Sequence, residues 1–304
     1  MMLNFKPITV ADKEVITSFT LASAYSNCDF AFANMCSWRF LYDSEFAVAD
    51  GFLFLRFYVT EKGRRHLAYM FPVGTRNDAL AAAITTIEKD AAEHGFPLLM
   101  LGVTPESKEV LNTLFPNSFA YIQERNYYDY IYRREDLVNL TGKKFQPKRN
   151  HINKFRKLYD YQYINITADI TPECMKLEQQ WFADNEQEND REALLNERQS
   201  MCFALSNFDG LGLMGGAIKV DGKIVAFTYG SPINADTFGI HVEKADINYE
   251  GVFSLINQEF ASRIPEQYVY LNREEDLGIA GLRQSKLSYN PVIILEKNAA
   301  VKRR

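Results

Sequence analysis

The sequence has little of what metal and thiol chemistry needs: four cysteines and four histidines in 304 residues. Cys28, Cys36, Cys174 and Cys202 form no CxxC pair, and the histidines are scattered. This pattern argues for reduced thiols and against a structural zinc site. Cys28 stands beside Asp29, but no histidine near it in sequence is placed to activate it, which counts against a nucleophilic cysteine. No run of about 18 apolar residues occurs, so no helical membrane span is expected. The N-terminal MMLNFKPITVADKE lacks a basic stretch followed by an apolar one, so a signal peptide is not expected and a cytoplasmic location is. A basic excess is missing too. The net charge is −5, which argues against a protein that coats nucleic acid but leaves room for one basic patch.

What is present is ordinary globular material, with 47% hydrophobic residues, 22 Phe and 17 Tyr. The length favours two domains. Asn77–His94 has apolar residues at helical spacing, with Gly95 as its stop. Pro105–Phe115 is a second helix with Pro in its first turn. Ala47–Val59 and His66–Val73 are expected as strands around a Glu61-Lys62-Gly63 turn, followed by Leu98–Val103, Phe119–Ile122 and Tyr127–Arg133. In the second half, Pro172–Asn185, Arg191–Phe203, Gly251–Ile264 and Ile279–Lys286 are expected helices. Gly216–Val220 and Ile224–Tyr229 flank Asp221-Gly222, a strong hairpin signal. Phe238–Val242, Tyr268–Leu271 and Val292–Leu295 complete the strands, and Lys302–Arg304 is expected to fray. Each half therefore runs helix, hairpin strands, helix, strand, helix, strand. The expected fold is α/β with mixed sheets: two tandem domains similar in element order to the general-control N-acetyltransferase (GNAT-like) fold. Residues 1–140 would form the first domain, 141–160 a basic linker or helix, and 161–304 the second domain with the site.

Three segments carry the chemistry. Gly142–Lys157, GKKFQPKRNHINKFRK, holds seven Lys/Arg and no acid. It suits a phosphate-rich ligand, or it is simply a solvated helix between domains. Phe238–Phe260 holds Glu243 at a strand end and one glycine, Gly251, before a helix. Asp246 and Glu250 lie where a pyrophosphate would approach, which argues against tight CoA binding. No cofactor and no metal are expected. The third segment, YLNREEDLGIAGLRQSKLSYNP, follows a strand end, where α/β sheets commonly bind ligands. Its carboxylates suit proton transfer or ammonium binding, and its Lys and Arg suit oxyanion stabilisation. The plainer alternative is a solvated loop-to-helix surface.

The segments NREEDLGIAGLRQSKLSYNP, HVEKADINYEG and PKRNHINKF resemble the C-terminal domain family of lysylphosphatidylglycerol synthases, which is related to the Fem-type aminoacyltransferases. The resemblance implies transfer from an aminoacyl-tRNA to an amine or hydroxyl acceptor: a small molecule, a peptide or a lipid head group. It implies that Glu274 and Asp276 hold the donor ammonium or take the acceptor proton. Arg283 and Lys286 would stabilise negative charge, while Asn272 and Tyr289 orient groups. Arg149, His151 and Lys154 would contact phosphates, and Glu243 would face the same crevice. Lipid-modifying members carry a large membrane-embedded region that this sequence does not show. Two rivals stand beside this reading: a CoA-dependent N-acyltransferase and a non-catalytic binding module of the same fold.

Overall fold

The structure, a computed structural model, describes residues 3–185 and 191–303. In the first half the chain forms β1 (Lys6–Pro7), β2 (Glu45–Ala49), β3 (Phe52–Glu61), β4 (Arg64–Tyr69), β5 (Val73–Gly74), β6 (Leu99–Val103), β7 (Phe119–Gln123) and β8 (Asp129–Arg133). Then come β9 (Tyr161–Asn165), β10 (Met214–Val220), β11 (Lys223–Pro232), β12 (Thr237–Ala245), β13 (Tyr270–Asn272), β14 (Ile293–Leu295) and β15 (Asn298–Lys302). They build two mixed sheets. One runs β1-β2-β3-β4-β6-β15-β7, with β5 on β3; the other runs β14-β8-β13-β12-β11-β10-β9.

Among the described residues, each sheet holds one parallel pair in an otherwise antiparallel order. The pairs are β4 with β6 and β12 with β13. Each is joined through a helix, Leu80–Glu93 in the first half and Val252–Ala261 in the second. A parallel connection needs such a crossover, so the expected internal repeat is physical. The repeat also trades strands. β8 lies beside β13 in the second sheet, and β15 lies between β6 and β7 in the first. The two sheets thus exchange one strand each, β8 for β15.

Turn chemistry sets much of the register. Asp221 and Gly222 take positive φ (48° and 79°) and connect Val220 to its partner Lys223. Positive φ at both central residues matches the right-handed strand twist. Lys62-Gly63 does the same between Glu61 and Arg64. Asp50-Gly51 forms a third such turn, with Ala49 opposite Phe52. It splits the expected Ala47–Val59 strand into β2 and β3. Two strands went unread, β9 and β15. Lys302, expected to fray, is paired with Phe119, and its amide donates to the Leu98 carbonyl at 2.9 Å. Arg304 lies outside the described residues.

One apolar cluster joins the halves: Ile16, Phe30 and Met35 pack with Leu205, Phe227 and Ile233. Burying a side chain such as Phe227 stabilises by roughly 1.5–3 kcal/mol. The basic segment becomes the Gln146–Leu158 helix, with Pro147 in its first turn. Ile152 and Phe155 pack it onto Val252, Leu255 and Ile256 of the Val252–Ala261 helix. No helix among the described residues is long and apolar enough to cross a membrane.

Candidate functional site

β12 and β13 run parallel through three residue pairs, Thr237–Tyr270 to Gly239–Asn272. Beyond them the strands part, and the residues that follow line the opening, as strand ends of α/β sheets do. Side chains alternate along the chain. Asn272 and Glu274 turn towards the first half and Arg273 towards the helices; the positive φ of Glu274 then breaks the alternation, so Glu275 turns towards the first half as well.

On the first-half side, Glu274 Oε1 lies 2.8 Å from His241 Nδ1 and accepts from Asn34 Nδ2 at 2.7 Å. His241 Nε2 lies 2.7 Å from Ser231 Oγ. Glu274 has φ 59°, costly for a residue with a Cβ, and its amide donates to Asn272 Oδ1 at 2.7 Å. Asn272 in turn donates to the Ser26 carbonyl and to Asp129 Oδ2, both at 2.7 Å. The result is a carboxylate, 20% exposed, whose position is fixed from both halves of the molecule. Sequence reasoning passed over His241 while singling out Glu243. A bulge explains the difference: Tyr229 faces Val242 and Gly230 faces Ile240, so His241 is the extra residue. It turns towards Glu274, while Glu243 turns towards Arg273.

Beneath Glu274 lies a buried charge cluster. Lys297 Nζ is 2.9 Å from Asp129 Oδ1, 3.0 Å from Asp29 Oδ2, and in contact with Glu275. The exchanged strands assemble it, because Asp129 opens β8 and Lys297 immediately precedes β15. Burial disfavours the Lys297 ammonium, but Asp129 and Asp29 hold it charged. Three carboxylates share that one cation. Burial, reinforced by Asp129 and Asp29, pushes Glu275 up to about 7 against the pull of Lys297. Cys28 Sγ sits 3.4 Å from Asp129 Oδ1. Burial and these carboxylates push its thiol up, so it is a poor nucleophile. Cys28, Asp129 and Glu275 set ligand atoms within 4.8 Å of one another, the arrangement among the described residues that suits a cation. The Lys297 ammonium already fills that role.

On the helix side, Arg273 Nη2 donates to Glu243 Oε1 at 3.1 Å. Its guanidinium lies 4.8 Å from the centre of the Tyr289 ring. Asn257 of the Val252–Ala261 helix donates to Glu243 Oε2 at 3.3 Å.

The remaining expected residues are pinned. Asp276 is buried and accepts from Arg283 Nε at 2.7 Å, Tyr130 Oη at 2.5 Å and the Gly278 amide at 2.8 Å. Burial alone would raise its carboxyl; these bonds outweigh it and hold the group well below the usual carboxylate range. The Lys286 ammonium donates to the Arg273 carbonyl at 2.5 Å and to the Glu275 carbonyl, so it clamps the loop backbone. Arg149 donates to the carbonyls of Leu140 and Gly142, and Lys154 pairs with Glu250 at 2.5 Å. His151 has an exposed side chain, and its carbonyl packs against Gly251. Any Cβ at position 251 would collide with that carbonyl, and φ there is 93°. The one glycine of this turn therefore serves a helix–helix approach. Asn272 and Glu274 meet on the first-half side of the parted strands, and Glu243 and Tyr289 flank Arg273 on the helix side; Arg149 and Lys154 are engaged elsewhere, and His151 is exposed.

Residues 22–300 match the family described as phosphatidylglycerol lysyltransferase, C-terminal. The chain belongs to that family. A conserved protein of unknown function from Bacteroides thetaiotaomicron is 51% identical, with a TM-score of 0.94, covering 99% of this chain and 100% of that one. L-PGS from Bacillus licheniformis shares the fold at 14% identity and a TM-score of 0.64, covering 96% of this chain and 91% of that one. An uncharacterized protein of Mycoplasmoides gallisepticum is 26% identical over 177 residues, 56% of this chain and 54% of its own length. The chain thus spans about half the length of that curated relative. The two mixed sheets, each with one parallel pair joined through a helix, are the tandem α/β architecture expected above.

Proposed function

We propose that the protein moves an aminoacyl group from an aminoacyl-tRNA to an amine or hydroxyl acceptor, at the opening between β12 and β13. Glu274 is the observation that carries this reading. It is a partly open carboxylate held in costly backbone geometry by Asn272, Asn34 and His241. Strain of this kind persists where surrounding structure over-determines it, and it clusters at working sites.

The donor ester is already activated, so the protein supplies positioning and a proton carrier. The acceptor N–H or O–H approaches Glu274. The carboxylate takes the proton as the nucleophile attacks the ester carbonyl. The tetrahedral species then breaks its bond to the ribose oxygen, which leaves as a hydroxyl with the proton from Glu274. His241, held by Ser231, keeps the carboxylate aimed. Lys286, Arg283 and Asp276 act through the loop backbone as positioning residues. Asn272 joins the halves beneath the site. Glu243 and Tyr289 close its helix side.

The test is a transfer assay with tRNA charged with labelled amino acids, against amine, peptide and glycerophosphate acceptors. Label should leave the tRNA for an acceptor faster than for water, and Glu274→Gln should abolish the excess. Transfer from an acyl-CoA with none from charged tRNA would overturn the reading in favour of a CoA-dependent enzyme.

A further inference from the structure

Three carboxylates share the Lys297 ammonium, and they are not equally served. Asp129 Oδ2 accepts from the Cys28 amide at 2.8 Å and from Asn272 Nδ2 at 2.7 Å, while its Oδ1 faces Lys297 at 2.9 Å. Asp29 Oδ2 accepts from Lys297 at 3.0 Å and from Asn27 Nδ2 at 3.1 Å. Glu275 receives its donors on one oxygen: Oε1 contacts Lys297 and lies 3.3 Å from Cys28 Sγ. Its Oε2 makes no hydrogen bond among the described residues, and the side chain is 17% exposed. One ammonium balances only one of three negative charges. Hydrogen bonds to a carboxylate favour its charged form, so the group left with a free oxygen keeps a proton most readily. That group is Glu275. Because Oε1 is occupied, the proton sits on Oε2. Burial, with Asp129, Asp29 and Glu274 adding to it, pushes this carboxyl up to about 7 against Lys297.

Glu274 is placed differently. His241 and Asn34 hold its Oε1, which leaves one oxygen to meet both the acceptor and the departing ribose. Glu275 is the next residue and turns to the same side. We infer that Glu275 is a second catalytic carboxyl, the acid that protonates the departing ribose oxygen through Oε2. This role rests on the transfer proposed above and divides its proton traffic between two groups. Glu274 removes the proton from the acceptor N–H or O–H as the nucleophile bonds to the ester carbon. When the bond from that carbon to the ribose oxygen breaks, its electron pair stays with the oxygen, and the Glu275 proton goes there. One proton then passes from Glu274 to Glu275 through solvent and resets the pair. A carboxyl that keeps its proton near pH 7 beside one that accepts lets a single site run both steps. The other titratable group near Glu275, Tyr42 of the Arg39–Tyr42 helix, stays protonated: burial, with the charges of Glu275 and Asp29, pushes its hydroxyl up to about 12. Lys286 binds the Glu275 carbonyl and leaves its carboxyl alone.

The experiment compares two donors on the full chain: charged tRNA with its ordinary terminal adenosine, and the same tRNA ending in 2′-deoxy-2′-fluoroadenosine. The fluorine makes the departing oxygen less basic, so its release depends less on an acid. Single-turnover transfer is measured with the amine and peptide acceptors of the assay above. At pH 6 the wild type should use the two donors within about threefold of each other. Glu275→Gln should lose about 10²-fold or more with the ordinary donor and regain about tenfold or more with the fluorinated one. Asp29→Asn alters the same cluster but leaves Glu275 Oε2 in place, and it should keep the wild-type donor ratio. In the wild type itself the advantage of the fluorinated donor should widen from pH 6 to pH 8, as Glu275 gives up its proton, which tests the role without any variant. Undiminished transfer by Glu275→Gln, an equal loss with both donors, an Asp29→Asn ratio matching that of Glu275→Gln, or a wild-type ratio flat with pH would each overturn the role and leave the transfer reading in place. A wild-type protein that transfers from neither donor would remove both together.

Discussion

β4 and β6 part in the first half as β12 and β13 do in the second, yet the two openings hold opposite chemistry. Past the Tyr69–Met100 pair, the first opening is closed by Met70, Phe71 and Val73, all buried. Gly102, with φ 66°, lies so close that a Cβ there would meet Met70, Asn27 and Asp29. Past the Gly239–Asn272 pair, the second opening carries His241, Glu243, Arg273 and Glu274. One topology supplies the same crevice twice. In the first it is plugged by apolar side chains and the Asn27–Asp29 segment, and in the second it is lined with groups that carry protons and charge. The plugging segment is not idle, because Asp29 and Cys28 reach across to Lys297 and Asp129. The filled crevice thus buttresses the open one.

The sharpest way to break this comparison is to change one residue in each opening. Glu274→Gln should lower transfer by about 10²–10⁴-fold, the usual contribution of a general base, with little change in folding. Met70→Leu, a volume-conserving change in the filled crevice, should cost under about 1.5 kcal/mol of stability and leave transfer unchanged. Single-turnover rates beside urea unfolding would measure both. A Glu274→Gln protein with undiminished transfer would remove the functional contrast between the openings.

Asp276→Asn asks how much of the second opening is frame and how much is chemistry. The buried carboxylate holds Arg283, Tyr130 and the Gly278 amide together. Its loss should cost about 2–3 kcal/mol, since charged donors are left poorly paired. The urea midpoint should fall with m unchanged. A stability equal to wild type would mean that the loop is held by Lys286 alone.

His241→Asn should act more gently, lowering transfer roughly tenfold while the pH profile of the rate shifts, because the carboxylate keeps Asn34 but loses its ring partner. A purely structural histidine would change stability and leave the pH profile where it was.

Much of this frame was legible in the sequence, and the misses are physical. Asp221-Gly222 announced its hairpin because both φ values are positive and the dipeptide tolerates them. Asp50-Gly51 carries the same signal, but it lies inside a continuous apolar run, and periodicity overrode turn chemistry. The exchange of β8 and β15 has no local signature, since a strand looks the same whichever sheet it joins. Asn272, Glu274 and Tyr289 were visible because polar residues crowd behind a strand end. His241 was hidden by a bulge that no spacing rule reports. Within the basic run, charge density could not tell inward Lys148 from outward Lys154; only the packing of Ile152 and Phe155 sets which face turns in.

The smallest effect concerns the charge cluster that ties the filled crevice to the open one. Glu275 titrates near 4.5 in an unfolded chain and near 7 in the folded protein, chiefly through burial. Folding therefore takes up a proton at this group in that interval. Its contribution to stability is fully present below about 4.5 and is lost as pH rises through about 7, by on the order of 1–2 kcal/mol given its tight coupling to Lys297. Asp276 has the opposite sign: its contribution is present above about 3.8 and lost as pH falls below that value. Urea unfolding at pH 5, 6, 7 and 8 should show stability declining across the series. Glu275→Gln, which cannot ionise, should flatten that decline while preserving the contact with Lys297. A wild-type curve as flat as the variant's would mean that Lys297 keeps Glu275 ionised throughout, and the two crevices would then be joined by a fixed ion pair and not by a titrating one.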